Sequence, residues 1–192
     1  MDSMPLLFLL LQPYKKNYRI YKNKEKRMLE LLILYILNKY DCTIYKIQKL
    51  IGEMFFIFSC PSLGAINPAL KRLENLGCVE YSSFMSDGGK LSKTYKITPF
   101  GLKYLKETIS LFDFKNSAHM LNNAKVCISI SDVLDNKQKE DFYFLVVNKL
   151  KILKKDIENN LSNPYILYTE IQRKVLDGTI KEIDELILTI EK

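Results

Sequence analysis

The side chains most often used for metal binding are few and scattered in this chain. Four cysteines, Cys42, Cys60, Cys78 and Cys127, include no CxxC pair, and His119 is the only histidine. A zinc site needs three or four such ligands at close spacing. The sequence therefore predicts no metal and no cofactor, and it predicts free, buried thiols of the kind found in a reducing compartment.

Sequence signatures of enzyme active sites are also missing. The chain contains no phosphate-cradling glycine-rich loop, no nucleophile elbow and no HExxH motif. Carboxylates such as Asp132 and Asp135, or Asp184 and Glu185, stand at helix starts or on polar helix faces, where capping and solvation explain them. We therefore expect that the protein is not an enzyme.

Basic residues are concentrated in the first part of the chain. Residues 1–111 contain 17 Lys or Arg and 9 Asp or Glu, a balance of +8, whereas residues 112–192 contain 12 and 13, a balance of −1. A basic part beside a neutral one favours a polyanionic partner for the first part. The alternative is that an AT-rich coding sequence has drifted toward Lys codons, but such drift should enrich Lys equally in both parts of the chain.

One predicted helix carries side chains suited to contact with nucleic acid. Residues 62–75 have apolar residues at helical spacing along one side, and Gly77 follows as a stop signal. The other side is polar and cationic, with Ser62, Asn67, Lys71, Arg72 and Asn75. Asn suits an adenine edge, while Lys or Arg suits a guanine edge or a phosphate. The alternative is an ordinary solvated helix face.

The elements around this helix decide how it is presented. Residues 25–39 and 43–55 predict two helices before it, and the first of these is buried on most sides. Residues 79–84 and 90–97 alternate as half-buried strands do, with a strong SDGG turn signal between them. Thr98-Pro99 then starts a fourth helix. Three helices, a β-hairpin and a helix form the layout of a winged helix-turn-helix domain.

The last part of the chain predicts helices that need a partner. Residues 112–136 predict a linker with a short helix, and residues 140–161 and 165–192 predict two amphipathic helices. Two such helices joined by a tight turn cannot bury both apolar stripes alone, so we expect a second copy to cover them. The candidate dimerisation residues on these stripes are Leu150, Leu153, Ile157, Ile180, Ile183 and Ile187.

Three stretches resemble, in order and spacing, the PadR family of winged helix-turn-helix transcriptional regulators. They are LELLILYILNKYDCTIYKI, NPALKRLENLGCVE and GGKLSKTYKITPFG. They are similar to the family's first two helices, to its recognition helix with the step into the wing, and to its wing with the start of the next helix. The closing helices resemble the family's C-terminal dimerisation region. Ala65 and Asn67 replace the Thr and Tyr of the family's frequent Gly-Thr-Leu-Tyr-Pro sequence.

The resemblance implies a mainly α fold with a small β-hairpin wing (α+β). It divides the chain into a variable N-terminal extension (1–24), a winged helix DNA-binding domain (25–111), and a linker with a helical dimerisation domain (112–192). It also implies that the helix at 62–75 enters the major groove of double-stranded operator DNA. The expected DNA contacts are Tyr45, Lys46, Ser62, Asn67, Lys71, Arg72 and, in the wing, Lys90 and Lys93.

The sequence gives fewer indications of how the protein is regulated and where in the cell it is located. Phe112, Phe142 and Tyr143 are a candidate pocket for a small aromatic effector, although aromatic residues at helical spacing belong more often to a core. The apolar stretch 5–11 is too short to span a bilayer and is followed, not preceded, by lysines. We therefore expect a protein of the bacterial cytoplasm with no membrane partner.

Together these patterns predict a sequence-specific DNA-binding transcriptional regulator. The resemblance implies a repressor, and we expect a homodimer that is released by a small effector or a stress signal. The alternative is a winged helix that serves as a protein-interaction module without sequence-specific DNA binding. The loss of the family's Thr and Tyr, at Ala65 and Asn67, keeps this alternative open.

Overall fold

The described part of the chain is mainly helical, with a small antiparallel sheet. The structure, a computed structural model, describes residues 24–85, 89, 91–110 and 117–191. Its elements, in order, are α1 (Lys24–Lys39), β1 (Cys42–Thr43), α2 (Ile44–Met54), α3 (Leu63–Asn75), β2 (Val79–Met85), β3 (Leu91–Ile97), α4 (Pro99–Ser110), α5 (Ser117–Ser129), a 3-10 turn (Ser131–Val133), α6 (Asn136–Leu161) and α7 (Glu170–Ile190). The predicted fold class, mainly α with a β-hairpin wing, is confirmed.

Helix α1 is the centre of the winged helix. Every residue from Leu31 to Leu37 is buried, and the helix packs against α2, α3, α4 and β3. An apolar helix that touches neighbours on all sides cannot show the narrow stripe of a surface helix. This explains why the sequence of α1 is apolar with few polar breaks.

Local capping sets where the helices of the helix-turn-helix begin and end. The hydroxyl of Thr43 accepts a hydrogen bond from the backbone N–H of Lys46 at 3.4 Å, which caps α2. Gly77, in the left-handed region at φ 73°, ends α3, and the N–H of Cys78 returns to the carbonyl of Leu73 at 2.9 Å. The predicted stop signal at Gly77 is therefore used.

The sheet contains one strand more than the predicted hairpin. Strands β2 and β3 pair antiparallel from Val79 opposite Ile97 onward, and β1 adds to the other edge of β3. In that added strand Cys42 lies opposite Tyr95. A two-residue strand is too short to show an alternating pattern, so the sequence carries no signal for it.

A close backbone approach fixes α4 against the wing. The hydroxyl of Thr98 donates to the carbonyl of Gly77 at 2.7 Å and accepts from the N–H of Gly101 at 2.9 Å. A Cβ at Gly101 would stand 2.0 Å from the carbonyl oxygen of Cys78. The glycine is therefore required by packing, which gives the Thr-x-x-Gly spacing a structural reason.

The predicted linker contains a full helix that contributes to the core. Helix α5 has 13 residues, and its Ala124, Val126 and Cys127 are buried. Helix α6 starts at 136, four residues earlier than predicted, because Asp135 and Gln138 form a capping box. Helix α7 starts at 170 and not at 165, because Thr169 caps it through a second capping box.

The two C-terminal apolar stripes are largely covered within one chain. Leu150, Leu153, Ile183 and Ile187 are buried, and Ile157 and Ile180 are half-buried. The premise that both stripes need a second copy is therefore wrong, because α6 and α7 pack on each other and α5 packs on α6. Lys154 also joins both carboxylate oxygens of Asp184 at 2.7 Å across the two long helices. Within the described residues, no helix has the length and apolarity needed to cross a membrane.

Candidate nucleic-acid interface

Helix α3 presents a polar face to solvent while its apolar side is held in the core. Ile66, Leu70 and Leu73 are fully or almost fully buried. Asn67 and Lys71, by contrast, are exposed. Because residues three and four apart share a helix face, the two side chains lie on one side, one turn apart. This is the arrangement expected of a helix that reads an external surface.

The start of α3 is fixed by the preceding turn. Ser62 occupies the N-cap position and is exposed, but its hydroxyl makes no capping hydrogen bond. The side-chain amide of Gln48 in α2 donates to the carbonyl of Pro61 at 3.2 Å. This bond ties the turn to α2, so the first turn of α3 is held in place and the Ser62 hydroxyl is not used by the helix.

Arg72 does not join the exposed face. Its Nε donates to Oε1 of Glu30 in α1 at 2.6 Å, and the Glu30 side chain is only 8% exposed. A buried carboxylate needs such a partner, because an unpaired buried charge is strongly unfavourable. Arg72 therefore fastens α3 to α1, and the sequence pattern that grouped it with Asn67 and Lys71 did not reveal this partner.

In the wing, the ammonium group of Lys93 lies over the aromatic ring of Tyr81. The Nζ of Lys93 lies 3.5 Å from the ring centroid of Tyr81, and the hydrogen bond to Tyr81 raises the pKa of Lys93. Lys96, on the same strand, is paired with Glu80 at 3.1 Å. Lys93 is thus a fully charged, oriented lysine on the wing, while Lys90 lies outside the described residues.

The predicted contacts at the start of α2 are exposed. Tyr45 is 68% exposed, and Lys46 is exposed beside it, with Nζ 5.8 Å from the ring centroid of Tyr40. Hydroxyl and ammonium groups of this kind often position a duplex through its phosphates. The structure leaves both groups accessible for such contacts.

Two exposed apolar groups were not singled out from the sequence. One is the wing tip, with Phe84, Met85 and Leu91. The other is the turn between α2 and α3, with Met54, Phe56 and Ile57. The apolar run MFFIF was the available signal for the second group, but local sequence does not show which of its members face solvent.

Two of the three aromatic residues named for a candidate effector pocket are described, and both pack in the helical region. Phe142 is 1% exposed, and Tyr143 is half-buried, with its hydroxyl 2.9 Å from that of Ser131. Their rings contact each other at a centroid distance of 5.8 Å. Phe112 lies outside the described residues. The two described aromatic residues therefore belong to the core of the helical region.

The titratable groups of the described part of the chain do not form a cluster that could bind a metal ion. No group of three His, Cys, Asp or Glu residues there is arranged to hold a metal ion. Burial raises the pKa of the Cys78 thiol to about 12, which keeps it protonated near neutral pH. Cys127 is buried as well, and burial also raises the pKa of its thiol. The expectation of buried thiols is wrong for Cys60, which is exposed.

Several known proteins are similar to this chain in sequence. A family model described as the transcriptional regulator PadR-like family matches residues 33–107. A PadR-like transcription factor from Bacteroides fragilis is 30% identical, over 43% of this chain and 78% of that chain, with a TM-score of 0.40. A PadR-like transcriptional regulator from Bacillus cereus is 33% identical, over 43% and 78%, with a TM-score of 0.37. A PadR family regulator from Clostridium difficile is 30% identical, over 42% and 81%, with a TM-score of 0.37.

The sequence likeness, not the superposition, carries the assignment, because these TM-scores are low. No curated protein sequence matches the chain at a significant level. The identity to the three solved relatives nevertheless reaches 30% or more, and the chain covers more than two thirds of each. The chain therefore belongs to the PadR-like family of transcriptional regulators, which are generally not enzymes.

Proposed function

We propose that this regulator binds a specific double-stranded DNA operator through α3 and acts as a homodimeric repressor of the bacterial cytoplasm, without catalytic activity. The observation that carries the proposal is the exposed face of α3, where Asn67 and Lys71 stand free of intrachain ion pairs among the described contacts. Such a face fits the major groove, which admits an α-helix. The +8 balance of residues 1–111 complements the phosphates.

The proposed contacts are divided by type. Asn67 and Lys71 face base edges, while Ser62, Tyr45 and Lys46 position the backbone. Lys93 reaches the backbone or minor groove from the wing, and Lys90 belongs to the same proposed contact. We leave Arg72 out of this set, because its guanidinium is held by Glu30.

The second copy needs a surface other than the stripes that the chain covers by itself. The loop before α7 and the first half of that helix expose large apolar side chains: Tyr165, Leu167, Ile171 and Val175, all more than 60% exposed. Gly178 follows on the Ile171–Val175 face, and a Cβ added there would meet nothing within 4 Å. We propose that a second copy packs on this face, in the helical region 112–192.

We also propose, from the family resemblance, that a small effector releases the protein from its operator DNA. Its pocket is not built on Phe142, which is in the core. A groove of about 750 Å³ between α5, α6 and α7 is another candidate site for a small molecule. Its lining includes Leu121, Asp156, Asn160 and Thr179.

A titration of DNA binding tests the central proposal. Full-length protein is titrated by fluorescence anisotropy against its own upstream DNA at two salt concentrations, with a random duplex as competitor. We expect competitor-resistant binding that weakens steeply with salt. Lys71→Ala should lower the affinity about tenfold and reduce the salt slope by about one. Lys155→Ala removes the same charge from an exposed position on α6 and should change the affinity less than twofold.

One observation favours the second candidate function, a protein-interaction module. Met54, Phe56 and Ile57 form an exposed apolar group beside α3, which is unusual for a surface that only meets DNA. Equal weak binding to operator and random duplexes, unchanged by Lys71→Ala, would refute sequence-specific DNA binding and leave this alternative.

A further inference from the structure

The exposed face of α3 contains two residues that do not favour a helix. Gly64 and Pro68 lie one turn apart in the first half of α3, and both are exposed. Glycine loses more backbone freedom in a helix than other residues do, and proline has no N–H to donate to the carbonyl four residues earlier. Two such residues in one exposed face need a reason outside the helix itself.

Packing within the chain does not supply that reason at Gly64. Among the described atoms, a Cβ added there would meet only the Ser62 hydroxyl, at 3.6 Å, which is an ordinary contact. Gly101 is the opposite case, because its Cβ would clash with backbone. The described packing therefore does not require the small size of Gly64.

The side chains around Gly64 and Pro68 have a restricted chemistry. Within residues 63–70, all of them described, Asn67 is the one exposed residue whose side chain can form hydrogen bonds. Ala65 and Pro68 are exposed and apolar. Arg72 is turned away by its bond to Glu30, and Lys71 lies beyond these first two turns. The exposed side of residues 63–70, which we call the front of α3, thus offers one side-chain amide between small apolar surfaces.

Base edges in the major groove differ in which of these surfaces they fit. Adenine presents N7 and N6–H to an Asn amide, and thymine presents a 5-methyl group to small apolar side chains. A guanine or cytosine edge would find only Asn67 to satisfy its polar atoms in this region. The front of α3 therefore complements A·T pairs better than G·C pairs.

We infer that the first two turns of α3 read A·T base pairs in each operator half-site. Asn67 bonds the adenine edge, the thymine 5-methyl packs against Pro68 and Ala65, and Gly64 lets the helix backbone approach the bases. This inference rests on the proposed DNA binding and adds the class of base pair that is read. It concerns Ala65 and Asn67, two of the three positions at which this chain departs from the Gly-Thr-Leu-Tyr-Pro sequence.

Modified bases test the inference atom by atom. Full-length protein first selects its preferred duplexes from a random pool, and the selected duplex is then remade with single changes. Replacing thymine by deoxyuridine removes only the methyl group, and we expect about a fourfold loss of affinity at one thymine of each half-site. Replacing adenine by 7-deazaadenine removes only N7, and we expect about a tenfold loss at one adenine.

Protein variants assign each effect to a residue. Asn67→Ala should abolish the sensitivity to 7-deazaadenine and keep the sensitivity to deoxyuridine. Pro68→Ala should reduce the deoxyuridine effect below twofold. Gly64→Ala should weaken binding about tenfold without lowering the free energy of unfolding, since the helix gains a better helix former. Asn75→Ala, exposed at the far end of α3, is the matched control and should change neither effect.

The outcomes separate this inference from the proposed function. Tight, specific binding that is insensitive to every deoxyuridine substitution would overturn the inference and leave the DNA-binding proposal intact. Sensitivity to 7-deazaadenine that persists in Asn67→Ala would do the same. If the random pool yields no preferred duplex, the proposed function itself fails, and the inference fails with it.

Discussion

The ion pair between Arg72 and Glu30 makes a prediction that separates folding from DNA binding. At an effective dielectric constant near 20, two charges about 4 Å apart attract by about 4 kcal/mol, and desolvation offsets part of this. Removing one partner of a buried pair typically costs about 3–5 kcal/mol. Because the Arg72 side chain is 32% exposed, water can partly reach the carboxylate left behind. We therefore expect Arg72→Ala to lower the free energy of unfolding by about 2–3 kcal/mol.

The two partners should not be equivalent. Glu30 is almost completely buried, whereas Arg72 reaches solvent. Glu30→Gln keeps the volume and an acceptor oxygen, and it leaves an arginine that water can solvate, so we expect a loss of only about 1 kcal/mol. A larger loss of unfolding free energy in Arg72→Ala than in Glu30→Gln would show that the buried carboxylate depends on the ion pair more than the guanidinium does.

Urea unfolding followed by circular dichroism at 222 nm measures these differences, since the chain has no Trp to report by fluorescence. Protein concentration is held constant, because an oligomer gains apparent stability with concentration. Lys71→Ala, the neighbouring exposed position, is the control and should stay within about 0.5 kcal/mol of the wild type. DNA affinity should show the opposite ranking, with Lys71→Ala impaired and folded Arg72→Ala within about twofold. An Arg72→Ala variant of wild-type stability that no longer binds DNA would refute this assignment.

Two further predictions concern packing and assembly. Gly101→Ala should lower the free energy of unfolding by about 2–4 kcal/mol in the same urea assay, because its Cβ would overlap the Cys78 carbonyl. Gly52→Ala is the control and should not destabilise the protein, because nothing lies within 4 Å of the added Cβ. Equal stability of the two variants would contradict the close approach. Val175→Asp should convert the proposed dimer to a monomer in sedimentation velocity, since it places a charge in the proposed apolar contact. A monomeric wild type would refute the proposed dimer, and a dimeric Val175→Asp would place the second copy on another surface.

Local sequence patterns were sufficient for most of the winged helix. The apolar run of α1 and the stripe of α3 each depend on neighbours within a few residues, and the stop at Gly77 was used as expected. The wing strands form close to the predicted positions, but the predicted in-and-out alternation is wrong for β2, which is buried only at Val79 and exposed from Glu80 to Met85. Periodicity reports which side of an element is apolar. It therefore predicted that Asn67 and Lys71 share the exposed side of α3.

What the tertiary structure alone decided is which surface covers each side. Arg72 lies at the margin of the polar face of α3, and only the placement of Glu30 in α1 pairs its guanidinium with a carboxylate of the same chain. Leu150 and Ile183 were expected to need a second copy, yet α6 and α7 bury them within the chain. Periodicity cannot distinguish these cases, because a stripe has the same spacing whether its partner is the next helix or another molecule. The sequence by itself determined the elements and their polarity, and the packing determined which residues remain free to bind.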